Sequence, residues 1–316
     1  MLRLGVDIGG TNLRLALVEV GIGAVFASRK ERHADPSPQA VVAAAARLGR
    51  DLAAGAGLSS QVAAGVGVAG QCRGASGLVL SAPNLGWRDV PFGEMAARAL
   101  GAPVRVANDL SAAALGEQRF GAARGVEDAV LFFVGSGVGA GLILGGRLHE
   151  GAGGVAGEVG HVKVAAPGGL PERRCGCGAL GCLESWAGGV AIAERAREAA
   201  AAGRSEALRA LCGGDPARID AGLVERACAG GDPWARGLWE EVGALLGDAV
   251  ANLAALLDPA RVVLGGGVLA AAPALRLLLV ERAMARALPA AARDLQMVPS
   301  ELGDDAGLVG AALLAP

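Results

Sequence analysis

A chain of 316 residues with 53% apolar and only 3% aromatic side chains is long enough to bury two α/β cores. Its formal net charge of −2 and the lack of any Lys/Arg-rich run offer little to attract a nucleic acid. No apolar stretch is long enough to cross a bilayer, and MLRLGVDIGGTN lacks the features of a secretory signal. The chain is therefore expected in the cytoplasm with reduced cysteines and no membrane partner.

In chain order, residues 2–8 read as a strand, Gly9 and Gly10 as a tight turn, and LRLALVEV and AVFASRKER as two further strands. A helical run over 38–57, a buried strand over 62–70, an irregular loop to about Asp89 and a helix over 91–100 follow. VRVAND is a strand that opens the helix LSAAALGEQRFG. A second glycine-punctuated meander starts at AVLFFVGSGVGAGLILGG. The chain is mostly helical over 185–257. ARVVLGGG, a long helix around LLLVERAMARAL, LQMVPSEL and a closing helix DDAGLVGAALLA end the chain. Two similar halves, each opening strand–glycine–strand, predict a two-lobed α/β protein with a cleft. The expected domains are 1–116 with about 296–316, and 117–295.

Three glycine loops are candidates for phosphate contact. In DIGGTN, Gly9 and Gly10 let backbone N–H groups approach an anion, Thr11 can donate a hydrogen bond, and Asp7 can hold Mg²⁺ through water. An ordinary hairpin meets the same pattern. GSGVGAG superficially satisfies a dinucleotide fingerprint, but the chain continues as a hairpin and not as a helix, so a Rossmann site is not expected. Ser136 remains a hydroxyl donor beside that turn. The glycines 265–267 sit between a strand and a helix, where a packing turn is nearly as good an explanation. No GxxxxGK[ST] occurs, which excludes a P-loop.

Asn108 and Asp109 stand where a strand gives way to a helix, the end of an α/β sheet at which ligands bind. Together they can hydrogen-bond adjacent hydroxyls, and the carboxylate can take a hydroxyl proton during phosphoryl transfer. A helix N-cap explains such a residue as well. Asn84 lies in the loop APNLGW with Trp87 behind it, and a turn is its plain alternative.

His161, Cys175, Cys177 and Cys182 offer the thiolate and imidazole donors of a tetrahedral zinc site, with glycines that let the backbone wrap an ion. Four protein ligands leave no open position, so the metal is expected to be structural. Glu158 and Glu184 fence the cluster without being needed by it. Cys72, Cys212 and Cys228 read as small buried hydrophobes. Lysine occurs only as Lys30 and Lys163, which suggests coding bias more than function.

DIGGTN, NDLSAAALGE, GSGVGAG and GEVGH followed by CGCGALGCLE resemble, in this order, the ROK family of sugar kinases and repressors. The resemblance implies an actin/hexokinase-like fold, a homodimer or homotetramer, and ATP-dependent phosphorylation of a hexose at O6. It implies Asp109 as catalytic base and Asn84, Asn108, Asp109, Glu158, His161 and Glu184 as sugar ligands. Asp7, Gly9, Gly10, Thr11, Asn12, Ser136, Gly137 and Gly266 would line the nucleotide and Mg²⁺ site. His161, Cys175, Cys177 and Cys182 would hold zinc. Ala107 stands where many members carry an acid, and Ser136 replaces a commoner threonine. APNLGWRDVP looks glucokinase-like, with an N-acetylhexosamine (GlcNAc or ManNAc) as the alternative acceptor. Repressors of the family carry a DNA-binding arm before DIGGTN, and only six residues precede Asp7 here. A catalytically silent sugar sensor is disfavoured by the intact Asp109.

Overall fold

The computed structural model describes residues 1–58 and 62–316. Strands β1 (Leu2–Ile8), β2 (Asn12–Glu19) and β3 (Ala24–Arg32) form the first meander. Helix α1 (Pro38–Gly55) starts where Ser37 Oγ accepts the Ala40 N–H and Pro38 supplies a preset first turn. β4 (Ala64–Val68) is buried throughout. Three short strands follow, β5 (Gln71–Arg73), β6 (Leu78–Ala82) and β7 (Trp87–Val90), paired antiparallel as a sheet of their own. This corrects the irregular loop expected to Asp89. α2 (Phe92–Leu100), β8 (Val104–Asn108) and α3 (Asp109–Phe120) complete the strand–helix rhythm.

β9 (Ala129–Val134), β10 (Val138–Leu144) and β11 (Arg147–Leu148) make the second meander, as the hairpin reading of GSGVGAG requires. Helices α4 (Glu184–Ala187), α5 (Gly189–Ala201), α6 (Glu206–Leu211), α7 (Ala221–Ala229) and α8 (Pro233–Leu257) come next. β12 (Arg261–Gly265), α9 (Gly267–Ala271), α10 (Pro273–Arg286), α11 (Pro289–Asp294), β13 (Gln296–Pro299) and α12 (Ala306–Leu314) end the chain.

The residues divide into two compact units. The first comprises Met1–Leu131, Gly141–Gly157 and Pro299–Pro316; the second comprises Phe132–Ala140 and Glu158–Val298. Residues 117–131 and 141–157, expected in the second domain, thus belong to the first. One reason is that α3 runs unbroken to Phe120.

The first unit is built on a sheet of order β3-β2-β1-β4-β8. β1 pairs antiparallel with β2 and parallel with β4, and β4 pairs parallel with β8. Its main core joins Leu4, Val6, Leu15 and Leu17 to Val41, Leu48 and Leu52 of α1 and to Trp87 and Phe92. α12 lies against β1, β4 and α3, so close that a methyl group on Gly65 would overlap the carbonyl of Ala311 and one on Gly310 that of Ala112. Helix and sheet meet backbone to backbone there. The other five-stranded sheet has the order β11-β10-β9-β12-β13. The long α8 begins at Asp232, whose carboxylate accepts the Ala235 N–H, and packs along α10.

Candidate functional site

In the first unit the DIGGTN turn joins β1 to β2. Asp7 points its Oδ2 at Arg14, whose Nε donates at 2.9 Å; Arg14 Nη1 donates to the Asp304 carbonyl at 2.9 Å. Oδ1 of Asp7 has no hydrogen bond among the described residues and is the atom available to a cation's water. His33 grips the turn twice: its Nε2 lies 2.9 Å from the Gly9 carbonyl, and its backbone N–H donates to Thr11 at 3.0 Å. Asn84, exposed on a short turn over Pro83–Leu85, sits against Gly10, where an added Cβ would come within 2.8 Å of the Asn84 Cβ. Trp87 stacks on Phe92 with centroids 5.1 Å apart, and its indole N–H donates to Pro36 at 2.7 Å.

At the end of β8 it is Asn108 that caps the helix. Its Oδ1 accepts the N–H groups of Leu110 at 2.9 Å and Ser111 at 3.1 Å, while Nδ2 donates to the Gly70 carbonyl at 3.1 Å. One N–H of the amide is left to meet a ligand. Asp109 is the first residue of α3, half-buried, with Oδ1 near its neighbour's N–H at 2.9 Å. The cap thus orients the carboxylate at the carboxyl end of a sheet strand.

In the second unit the cluster forms as its spacing predicts. Ligand atoms of His161, Cys175, Cys177 and Cys182 all lie within 4.8 Å of one another. Cys177 and Cys182 sulfurs are 3.8 Å apart, and Cys175 Sγ is 3.6 Å from His161 Nδ1. A tetrahedron with metal–sulfur bonds of about 2.3 Å has edges of about 3.8 Å, so the donor set fits zinc. The ligating nitrogen would be Nδ1, because Nε2 faces Glu158 Oε2 at 3.5 Å. Burial pushes the Cys175 thiol up to about 12. Hydrogen bonding from the Ala179 amide pulls the exposed Cys177 down. A bound cation would supply the charge that stabilises the Cys175 thiolate.

Glu184 reaches the cluster and the second glycine hairpin together. Its Oε1 is 3.8 Å from Cys175 Sγ, and its Oε2 accepts the Val138 N–H at 3.0 Å. Gly137 is the residue that makes room, since a Cβ there would overlap Oε2. Ser136 is exposed at the tip of this turn, and its carbonyl accepts the Val190 N–H at 3.0 Å. Gly266 caps α9 at φ 99°, pressed against the Val134 backbone, where no side chain would fit.

Sequence reading missed Arg14 and His33. A charge two residues beyond DIGGTN was the only signal for the first, and nothing local marked the second. It also missed the support beneath Glu184: Trp186 is fully buried with the guanidinium carbons of Arg173 and Arg195 at 6.0 and 5.4 Å from its ring. Arg173 donates to Glu198 of α5 at 3.0 and 3.3 Å, tying the cluster loop to that helix.

This is the actin/hexokinase-like α/β fold, with glycine hairpins in both units and an acid-flanked Cys₃His cluster in the second. The ROK family model matches residues 3–316, and the chain belongs to that family. Glucokinase from Streptomyces coelicolor is 36% identical over 335 residues, covering 99% of this chain and 97% of its own. The crystal structure of a ROK family glucokinase from Streptomyces griseus in complex with glucose and AMPPNP is similar with a TM-score of 0.83 at 35% identity, covering 100% of this chain and 99% of that one. The bifunctional enzyme NanE/NanK from Brucella suis is 42% identical over 227 residues, covering 72% of this chain and 37% of its own.

Proposed function

We propose that this chain is an ATP-dependent hexose kinase that phosphorylates glucose at O6, in the cytoplasm and as a homodimer or homotetramer. The observation that carries the reading is the near full-length likeness to a kinase crystallised with glucose and AMPPNP. Asp109 is the general base: held at the start of α3 by the Asn108 cap, its carboxylate accepts the proton of the attacking hydroxyl. Asn84, Asn108, Glu158, His161 and Glu184 bind sugar hydroxyls, carboxylates as acceptors and amide N–H groups as donors. The hairpin residues Gly9, Gly10, Thr11, Asn12, Ser136 and Gly137, with Gly266, serve the nucleotide. Asp7 offers Oδ1 to the water shell of Mg²⁺, an ion that neutralises charge on the transferring phosphoryl group. His161, Cys175, Cys177 and Cys182 would hold a structural zinc, so that one imidazole nitrogen is fixed by ligation and the other, beside Glu158, is left to meet a sugar hydroxyl.

The test is a coupled ADP-release assay over glucose, mannose, fructose, allose, N-acetylglucosamine and N-acetylmannosamine, run on the native chain and on Asp109→Asn. Turnover with glucose is expected, and Asp109→Asn should bind sugar and ATP yet lose about 1,000-fold or more in kcat. Turnover confined to an N-acetylated sugar would move the substrate. Near-native activity of Asp109→Asn would remove the base assignment.

A further inference from the structure

Lys163 is one of two lysines in a chain with 29 basic residues, and its side chain ends on the metal cluster. The segments around it explain why. Val164 N–H donates to Gly181 at 2.9 Å and Leu183 N–H to Val162 at 3.0 Å, with Lys163 and Cys182 facing each other as an antiparallel bridge. Directly opposed residues of such a pair project to the same face. The ammonium donates to Cys182 Sγ at 3.0 Å and to the Leu180 carbonyl at 2.9 Å.

Among the described residues, no arginine competes for that place. Arg173 is held by Glu194 and Glu198 of α5, and Arg174 donates to the Gly178 carbonyl. Among the described residues, Lys163 is the only lysine or arginine hydrogen-bonded to a sulfur of the cluster. Lys163 also borders a cavity of about 600 Å³ whose α8 wall carries Asp248. That carboxylate is already taken by Arg282 at 2.7 and 2.9 Å and approached by Arg286 at 3.4 Å, so it does not draw the ammonium away.

We infer that Lys163 is a positioning residue for the metal: it holds the Cys182 sulfur in ligating geometry and balances the surplus negative charge of a three-thiolate set. The inference rests on the zinc reading above. Three thiolates carry one more negative charge than a zinc ion cancels, and an adjacent ammonium restores neutrality. An outer donor to a ligand atom also fixes that atom's direction. Lysine suits the place better than arginine, because a compact ammonium can direct separate N–H groups at a sulfur and a carbonyl that share no plane.

The experiment measures zinc content and then the rate of zinc loss to an excess of a colorimetric chelator. It is run on the full chain and on Lys163→Met, Lys163→Gln and Lys163→Arg. Lys163 is exposed, so truncation leaves no cavity to collapse the fold, and circular dichroism verifies this. Lys163→Met and Lys163→Gln are expected to lose zinc about tenfold faster or more, the scale usual for outer partners of metal ligands. Lys163→Arg, which keeps the charge, should stay closer to the native rate. In cobalt-loaded protein the sulfur-to-metal absorption band should move to longer wavelength in both neutral variants. Native-like loss rates and an unmoved band in proteins that all carry the metal would overturn the role of Lys163. A native chain purified without zinc, and unable to take it up, would instead bring down the zinc reading itself.

Discussion

The two glycine hairpins look alike in sequence and are fastened differently. In the first, between β1 and β2, a methyl on Gly9 would meet only the Asn12 carbonyl at 3.7 Å, an ordinary contact, whereas one on Gly10 would press on Asn84. In the second, between β9 and β10, the space at Gly137 is filled by the Glu184 carboxylate, which takes the Val138 N–H. One turn is tied down by a histidine on its carbonyl and the other by an acid on its amide. The lesson is that a glycine in a turn that reads as a phosphate loop can be required by a polar side chain of the protein that sits against the backbone, as Glu184 does at Gly137.

Substitutions separate the two. Gly137→Ala should have the largest effect, because overpacking costs about 1–3 kcal/mol and displaces Glu184. kcat/KM for glucose is expected to fall by roughly tenfold or more, and an unchanged value would break the link between this hairpin and the sugar. Gly10→Ala should raise the sugar KM less, since the neighbour that must yield is the exposed Asn84. Gly9→Ala is the sharper probe. The fold has room for the methyl, so an unchanged Tm with a raised KM for ATP would assign that glycine to phosphate approach. No change in either would leave it as a simple turn.

The smallest effect is expected under Glu184. Arg173 holds the Glu198 carboxyl below its ordinary range through their hydrogen bond. The pair is partly exposed, so Arg173→Ala should cost under about 1 kcal/mol. A depressed carboxyl contributes stability above its unfolded pKa and loses it as pH falls through the folded pKa. The Tm difference between native chain and Arg173→Ala should therefore close in acid. A difference that persists there would point to lost packing on Trp186 instead.

The parts of the site carried by local pattern are legible in the sequence. Cysteine spacing places the cluster, and a strand that continues after GSGVGAG excludes a helix-start phosphate site. What is not legible depends on long-range pairing. β5, β6 and β7 are too short, and too broken by Gly77 and Pro83, to show a strand period, yet they pair with one another. His33 reaches Gly9 only because β3 returns beside β2. Asp7 meets Arg14 across the β1–β2 pair, a register that the turn sets but that no single segment displays. The domain limits shift for a related reason: the residues that close the first unit come from three separate stretches of chain.

The backbone seat of α12 has a consequence for how the protein is made. Its helix fills the space beside β1, β4 and α3 at Gly65 and Gly310, where no side chain could substitute. Until the segment Pro299–Pro316 has been synthesised, that face of the first unit's sheet is covered only where α3 packs on β4 and β8. The earlier-made part of this unit therefore keeps backbone and apolar side chains exposed until α12 docks, and chaperones should engage nascent forms that stop short of α12 and release them once it does.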